Sequence, residues 1–368
     1  MKKHTPATTT LYSESRAQSR PHRAAMLKQV RHLIAAEQRQ AQARRKKFFN
    51  PPLTSLAAFE RATPAYRQQL RAMLGWPLVN RSNDKTCSHG ALSPCPKVRE
   101  VPVSEDRLGK ISRLWIKTLP GLDTYGMLFV PHRKGPHPLV ISQHGGWGSP
   151  ELCSGLLGPS NYNDMTRRVL RRGFAVFAPQ LLLWNPAEKN QPKFDHARID
   201  RQLKQLGGSL AALELFRLQR CLDALTARPD IQPGRIGMIG LSYGGFYTLF
   251  AAALDPRIRV AVSSCFFNNR TKYDFPDWTW FDSANKFLDA EIASLVCPRP
   301  LYLEVAKRDQ LFDVRPARPE ARRVAALYRR LGVAHHFCYH EHCGTHELDK
   351  HTAPIDFLET HLKKIRTR

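Results

Sequence analysis

A serine inside a short glycine-rich segment carries the strongest chemical signal in the chain. The segment Gly240-Leu241-Ser242-Tyr243-Gly244-Gly245 follows an apolar run at 235–239 and precedes another at 246–254. This order of strand, sharp turn and helix makes a G-x-S-x-G match a nucleophile elbow rather than an ordinary glycine-rich turn. The glycines matter because a serine on such a turn has a strained backbone and its neighbours must approach closely. The pattern predicts that Ser242 is a nucleophile.

A nucleophilic serine needs a base, and the base needs an acid to orient it. Asp309 and His346 each follow a predicted strand, at 301–305 and 336–339. The chain order of serine, aspartate and histidine is the order that this strand–turn–helix context requires. We therefore predict Asp309 as the acid and His346 as the base. Other residues could fill these two roles: Asp313, Asp274 and Asp277 for the acid, and His340, His342 and His351 for the base.

A second glycine-rich segment, His144-Gly145-Gly146-Trp147-Gly148, follows a predicted strand at 138–142. Glycines let backbone N–H groups turn toward a substrate, and a second oxyanion donor for an elbow serine is expected from such a loop. The other donor is the N–H of the residue after the nucleophile. We expect an oxyanion hole built from Tyr243 together with Gly146 or Trp147.

A run of cysteine and histidine near the C-terminus invites comparison with metal sites. Its members are Cys338, His340, His342, Cys343 and His346. Their spacing fits no common structural zinc pattern, although two of the histidines could share one side of a strand. We predict neither a metal nor another cofactor.

The predicted secondary structure that must position these residues changes in pattern along the chain. Short strand signals come in succession from residue 98 to 142, and strands then alternate with helices to the end. Such alternation predicts a mostly parallel sheet covered on both faces. The expected organisation is a basic, flexible arm at 1–50, a helical extension and loop at 51–97, and a catalytic α/β domain at 98–368.

Charge and cysteine content limit the kinds of partner and location. Lys+Arg outnumber Asp+Glu by 57 to 31, for a formal net charge of +26. A basic surface favours loose association with anionic partners, but the chain contains no recognisable nucleic-acid module. The eight cysteines include no Cys-x-x-Cys pair and several lie in apolar stretches, as expected of reduced thiols. Without a signal-peptide pattern or an apolar run long enough to span a membrane, we expect a cytoplasmic protein.

Together these motifs resemble the α/β-hydrolase superfamily, most closely its dienelactone-hydrolase-like and acetyl-xylan-esterase-like branch. The resemblance rests on 144–146, 235–245, 253–257, 298–309 and 344–347, and it covers about residues 53 to 365. It implies an α/β-hydrolase fold with an N-terminal helical extension, and the roles of nucleophile, acid and base for Ser242, Asp309 and His346. The chain departs from the family at Ala306, where relatives often have glycine after the strand that precedes the acid.

Aromatic stretches offer candidate substrate contacts, namely Trp184, Phe267, Trp278 and Trp280. Such rings could stack on a sugar, or they could form the packed core of a small cap. The sequence as a whole predicts a serine hydrolase that acts on a carboxylic ester, such as an acetylated carbohydrate or other small ester. Two alternatives remain: a prolyl-oligopeptidase-like peptidase and a non-catalytic scaffold that binds an anionic partner. The oligomeric state stays open.

Overall fold

A computed structural model describes residues 11–79, 93–185 and 187–365. Its strands form one nine-stranded sheet. The strands are β1 (Val98–Asp106), β2 (Gly109–Leu119), β3 (Leu122–Pro131), β4 (His137–Gln143), β5 (Ala175–Pro179), β6 (Ile231–Leu241), β7 (Ile258–Ser264), β8 (Leu301–Ala306) and β9 (Phe337–His342).

Helices precede the sheet, connect its strands and close the described part of the chain. They are α1 (Arg16–Phe48), α2 (Leu56–Leu74), α3 (Pro150–Cys153), α4 (Met165–Arg171), α5 (His196–Gln205), α6 (Leu210–Thr226), α7 (Tyr243–Leu254), α8 (Ser283–Lys286), α9 (Asp289–Ser294), α10 (Val314–Arg330) and α11 (Ala353–Lys363).

The strand order is β1-β2-β3-β5-β4-β6-β7-β8-β9. Three neighbouring pairs are antiparallel: β1 with β2, β2 with β3, and β3 with β5. The remaining pairs are parallel: β5 with β4, β4 with β6, β6 with β7, β7 with β8, and β8 with β9. The chain therefore opens as an antiparallel meander and then adds strands through helical crossovers. This confirms the predicted α/β-hydrolase architecture, in which the carboxyl ends of the parallel strands share one edge.

Two hydrophobic layers cover the sheet. One contains apolar side chains of α2, α6, α7 and α10, and the other contains those of α4 and α11. Every residue of β5 and of β8 is buried, as expected for strands that are covered on both faces. This packing fixes the ends of the parallel strands, from which the candidate site residues project.

The residues before the sheet are mainly helical. Ser55 accepts a hydrogen bond from the N–H of Ala58 and caps α2, which packs on the domain through Phe59, Leu70 and Leu74. The basic segment forms α1, in which only Ala41 and Arg45 are buried. No helix in the described ranges is long and apolar enough to cross a membrane.

Candidate active site

The turn between β6 and α7 holds Ser242 in an unusual backbone conformation. Its φ is 60° and its ψ is −121°, a region that side-chain-bearing residues rarely adopt. The Ser242 N–H donates to Ser264 O of the neighbouring strand, and Ser242 O accepts from Phe246 N, both at 2.9 Å. Hydrogen bonds on both sides thus maintain the strain and place the serine between the sheet and the helix N-terminus.

Glycines around the turn are required by close approach of the backbone. A Cβ on Gly240 would lie 2.3 Å from Gly244 O, and one on Gly244 would lie 2.1 Å from Gln143 O. A Cβ on Gly245 would lie 2.5 Å from Ser264 O. Helix α7 therefore begins directly against the ends of β4 and β7, as a nucleophile elbow requires.

Asp309 and His346 meet on the loops that follow β8 and β9. His346 Nδ1 lies 2.8 Å from Asp309 Oδ2, and the Asp309 side chain is almost fully buried. Its other oxygen, Oδ1, accepts from Leu311 N at 2.8 Å and from Phe312 N at 3.2 Å. These bonds fix the carboxylate against Nδ1 of the imidazole. Nε2 is then the imidazole nitrogen that Asp309 does not contact.

Main-chain bonds couple the acid loop to the histidine loop. Lys307 N donates to His342 O at 2.9 Å, and Arg308 N donates to Gly344 O at 3.1 Å. Ala306, the departure from the family pattern, is fully buried at the end of β8, and its carbonyl accepts from Asp309 N at 3.3 Å. Alanine at this position is therefore compatible with the turn that presents Asp309.

The rival aspartates have other contacts. Asp313 caps α10 and pairs with Arg315. Asp277 is buried, accepts from Tyr243 Oη at 3.1 Å, and has a pKa that burial raises above its usual value. Asp274 is exposed on the connection between β7 and β8. Among these aspartates, the structure pairs Asp309 with His346.

The loop after β4 leaves two amides available beside the serine. Gly145 N donates to Tyr162 Oη at 2.7 Å, and Gly148 N donates to Gly145 O at 3.2 Å. The amides of Gly146 and Trp147 have no such partner among the described residues, and a Cβ on Gly145 would lie 3.0 Å from Ser242 Cβ. Trp147 has a positive φ of 57° and is 74% exposed. The loop therefore borders both Ser242 and Tyr243, since a Cβ on Gly146 would lie 3.5 Å from the Tyr243 ring.

Three residues that had no predicted role hold these loops. His144 is buried, accepts from Leu181 N through Nε2 at 2.9 Å, and has a pKa lowered by burial to about 4, so it stays neutral. Tyr162 supports Gly145, and Asn161 Nδ2 donates to His346 O at 3.0 Å. Their sequence signal is weak, because Asn161 and Tyr162 lie in a loop and act through the backbone of distant residues. Only His144, adjacent to the glycines, lay within a recognised motif.

The cysteine and histidine run does not come together as one cluster in the described ranges. His340 contacts Asp349 instead, with Nε2 3.2 Å from Oδ2. Cys265, Asp309 and His346 have possible ligand atoms within 4.8 Å of one another. The Asp309–His346 contact of 2.8 Å is a hydrogen-bond distance, and burial raises the pKa of the Cys265 thiol well above its usual value. These features fit a hydrogen-bonded acid–base pair better than a metal site.

A cleft of about 670 Å³ lies beside the oxyanion loop. Trp147 and Trp184 both line it, and Trp184 is fixed by a bond from Nε1 to Pro192 O at 2.8 Å. The other lining residues are Gly148, Ser149, Glu151, Leu152, Leu157, Gln180, Asn185, Glu188, Gln191 and Pro192. The cleft therefore combines indole surfaces with amide and carboxylate groups.

The other predicted pocket residues are in the packed connection between β7 and β8. Phe267 and Trp278 are buried, and the Trp278 ring lies 4.5 Å from that of Tyr243. Trp280 stacks on Phe246 with the ring centroids 6.1 Å apart. Of the four predicted contacts, only Trp184 lines the open cleft. Trp278 and Trp280 instead pack against aromatic rings of α7, and Phe267 is buried in the core.

The comparison with protein families agrees with this geometry. The model of the dienelactone hydrolase family matches residues 125–318, more than half of the chain. The chain belongs to the dienelactone hydrolase family. The match includes Ser242 and Asp309 and ends before His346. Family membership makes this α/β protein a carboxylic-ester hydrolase.

Individual relatives are more distant. The chain is 29% identical over 255 residues to a Bacillus subtilis (strain 168) protein named as the hydrolase YtaP, covering 64% of this chain and 81% of that protein. A Bacteroides fragilis protein described as an acetyl xylan esterase has a TM-score of 0.65 at 15% identity, covering 84% and 81% of the two chains. A glucuronoyl esterase from Solibacter usitatus has a TM-score of 0.62 at 14% identity, covering 85% and 94%. At these identities the two structures support the fold alone.

Proposed function

We propose that the chain hydrolyses a carboxylic ester through an acyl-enzyme on Ser242, with His346 as base and Asp309 as acid. The observation that carries the proposal is the 2.8 Å contact between His346 Nδ1 and Asp309 Oδ2 on the loops after β9 and β8, together with the strained serine elbow at the end of β6. Backbone bonds hold the serine and the acid independently. An arrangement of this kind is organised before any substrate binds.

The proposed reaction begins when Ser242 Oγ attacks the acyl carbonyl and His346 Nε2 accepts the hydroxyl proton. Asp309 keeps the other imidazole proton on Nδ1 and stabilises the imidazolium that forms. His346 then donates its extra proton to the departing alcohol, and the ester C–O bond breaks. A water molecule repeats the sequence on the acyl-enzyme, releasing the acid and restoring Ser242.

The negative oxygen of each tetrahedral intermediate needs hydrogen-bond donors. We assign this role to the N–H of Tyr243, with a second N–H from Gly146 or Trp147. The N–H of Tyr243 is available for this role because it lies at the start of α7, where backbone N–H groups have no acceptor within the helix. The N–H of Gly146 or Trp147 is assigned as the second donor because the neighbouring amides of Gly145 and Gly148 already donate to Tyr162 Oη and Gly145 O. Removal of one such donor typically costs about 10²- to 10³-fold in kcat.

The cleft favours a neutral ester group, and a small or carbohydrate ester is the proposed substrate class. Trp147 and Trp184 provide flat apolar faces, while Gln180 and Asn185 provide amide groups for hydroxyls. Glu151 and Glu188 line the same space, and no lysine or arginine does so among the described residues. Carboxylates on the protein disfavour a substrate whose bound group is itself anionic. The acetyl xylan esterase description of a structural neighbour agrees with this choice.

Two smaller proposals concern location and nucleic acid. The described cysteines are all free thiols, and Cys153, Cys221, Cys265 and Cys297 are buried. Reduced cysteines of this kind support a cytoplasmic location. We propose no specific nucleic-acid partner, because the basic charge comes without a recognisable binding module.

Substrate turnover separates the esterase from the peptidase. Wild type and Ser242→Ala would be compared on p-nitrophenyl acetate and on aminoacyl-nitroanilides. The proposal expects ester turnover that Ser242→Ala abolishes, and little nitroanilide cleavage. Faster nitroanilide cleavage would favour the prolyl-oligopeptidase-like alternative. No Ser242-dependent turnover of either substrate would favour the scaffold.

A further inference from the structure

Helix α1 extends far beyond the part that packs on the domain. Its 33 residues correspond to about 50 Å, yet only Ala41 and Arg45 are buried. The docked end is held by Arg45, which contacts Glu291 at 3.1 Å and Ala284 O. Helices in proteins gain most of their stability from packing an apolar face, and residues 16–40 lack such support from the rest of the described chain.

An apolar stripe lies on this projecting part. Its members recur at helical spacing and are all largely exposed: Met26 (62%), Leu27 (48%), Val30 (46%), Leu33 (62%) and Ile34 (51%). The same side of the helix includes Ala41, which is 3% exposed because it packs on the domain. The stripe thus continues the docked face of α1 into solvent. We define it by these five residues and call it the α1 stripe.

Charges around the α1 stripe are placed unequally. Lys28 and Arg39 lie on the opposite side of the helix, at the 100° step of each residue, whereas Arg31 lies at the edge of the stripe next to Leu27. Arg23 and Glu37 lie on the stripe side, one turn before Met26 and one turn after Leu33. Glu37 is the sole acidic residue of α1. The stripe is therefore flanked by a cation at one end and an anion at the other.

We propose that the α1 stripe packs antiparallel against the α1 stripe of a second copy of this chain, with the two-fold axis at Val30. In this register Met26 and Leu27 lie opposite Leu33 and Ile34 of the second copy. Arg23 lies opposite Glu37 at both ends, so each copy presents a self-complementary surface. The overlap from 23 to 37 spans about 22 Å and ends before the part of α1 that docks on the domain.

Glu37 favours this occupant over an anionic membrane. A membrane that covered the α1 stripe would press the Glu37 carboxylate against anionic headgroups, whereas the second copy offers Arg23. In the single chain Glu37 contacts Arg44 at 2.8 Å, with both side chains exposed. Exposed ion pairs contribute about 0–1 kcal/mol to stability. Exchanging Arg44 for Arg23 of the second copy as the partner of Glu37 therefore costs little. The net charge of +26 opposes association at low salt and is screened at high salt.

Sedimentation of the full-length protein at low and high salt tests the proposal. Wild type is expected to reach twice the 41.9 kDa chain mass, with tighter association at high salt. The double variant Leu27→Glu/Leu33→Glu should weaken association by at least about tenfold, a loss of about 1.4 kcal/mol. The matched control is Lys28→Glu/Arg39→Glu on the opposite side, which should still dimerise. Ester hydrolysis would report that each variant is folded.

A charge exchange tests the register itself. Arg23→Glu should weaken the dimer, and adding Glu37→Arg should restore it, because the two changes act on the same pair. A wild-type monomer at every salt concentration would overturn the proposal, as would full dimerisation of Leu27→Glu/Leu33→Glu. Stripe-dependent binding of a monomer to phosphatidylglycerol vesicles, weakening with salt, would overturn it in favour of a membrane. Failure of Glu37→Arg to rescue would refute the antiparallel register.

Discussion

Asp309 is the member of the site with the most complete set of partners. One oxygen contacts His346, and the other accepts two backbone N–H groups. Asp309→Asn keeps the shape but favours the wrong imidazole tautomer, so kcat for an ester should fall by about 10⁴-fold. Steady-state hydrolysis of p-nitrophenyl acetate measures this loss, with the melting temperature as a check on folding.

Asp313→Asn provides the matched control for that prediction. Asp313 caps α10, a role that asparagine also performs, and its side chain pairs with the exposed Arg315. We expect kcat to change by less than about threefold. Equal losses in the two variants would show that Asp309 has no special part in the reaction.

Glu304 is a buried carboxyl on β8 whose titration should affect stability. Its Oε1 accepts from Ser264 Oγ at 2.6 Å and from Asp349 N at 3.0 Å, and burial raises its pKa to about 7. Between its usual pKa of 4.5 and this value, the folded state holds a proton that the unfolded state has lost. The free energy of unfolding should therefore fall as pH rises through this window, by on the order of 3 kcal/mol.

Glu304→Gln should remove most of this slope, since the amide keeps the accepting oxygen and cannot ionise. Urea denaturation at both ends of the window would compare it with wild type. The control is Glu341→Gln on β9, because Arg318 holds the pKa of Glu341 below its usual value and keeps it ionised there. An unchanged slope in Glu304→Gln would show that another group titrates.

At the scale of elements, the site depends on how closely α7 approaches β4. Gly244→Ala would place a Cβ 2.1 Å from Gln143 O, so the helix must move. We expect the free energy of unfolding to fall by about 3 kcal/mol or more, with most ester hydrolysis lost. Thermal and urea unfolding measure the first effect.

Gly146→Ala is the comparison for stability, because its Cβ would lie 3.5 Å from the Tyr243 ring, an ordinary contact. Its free energy of unfolding should stay within about 1 kcal/mol of wild type. If Gly244→Ala were as stable as Gly146→Ala, the close packing of α7 against β4 would be incorrect.

The sequence predicted elements well where local patterns decide them. The successive strands before residue 142 and the alternation of strands and helices after it were predicted because apolar runs alternate with turns or helices, and the elbow glycines indicated the turn at Ser242. Helix α5 was missed, since its contacts are long-range, such as the bond from Lys204 Nζ to Pro276 O at 2.6 Å. Tyr162 and Asn161 were missed for the same physical reason. They bond to backbone groups that only folding brings near.

At the scale of the whole molecule, the concentrated positive charge of helix α1, which is one part of the net +26, and the candidate active site lie on different parts of the chain. Helix α1 has ten basic residues and one acid, while the cleft beside Trp147 is lined by Glu151 and Glu188. Sequence could predict the overall charge and the fold class, but not this separation. It depends on which loops surround the carboxyl ends of the strands. The basic arm is therefore assigned to association, and the cleft to the ester.

Covalent labelling tests the central claim most directly. A fluorophosphonate reacts with a serine only when a base activates it and donors stabilise the adduct. Intact mass and peptide mapping of the full-length protein should find one adduct on Ser242 in wild type and none in Ser242→Ala. A wild type that does not label, or a Ser242→Ala variant that labels equally well, would contradict the assignment of Ser242 as the nucleophile.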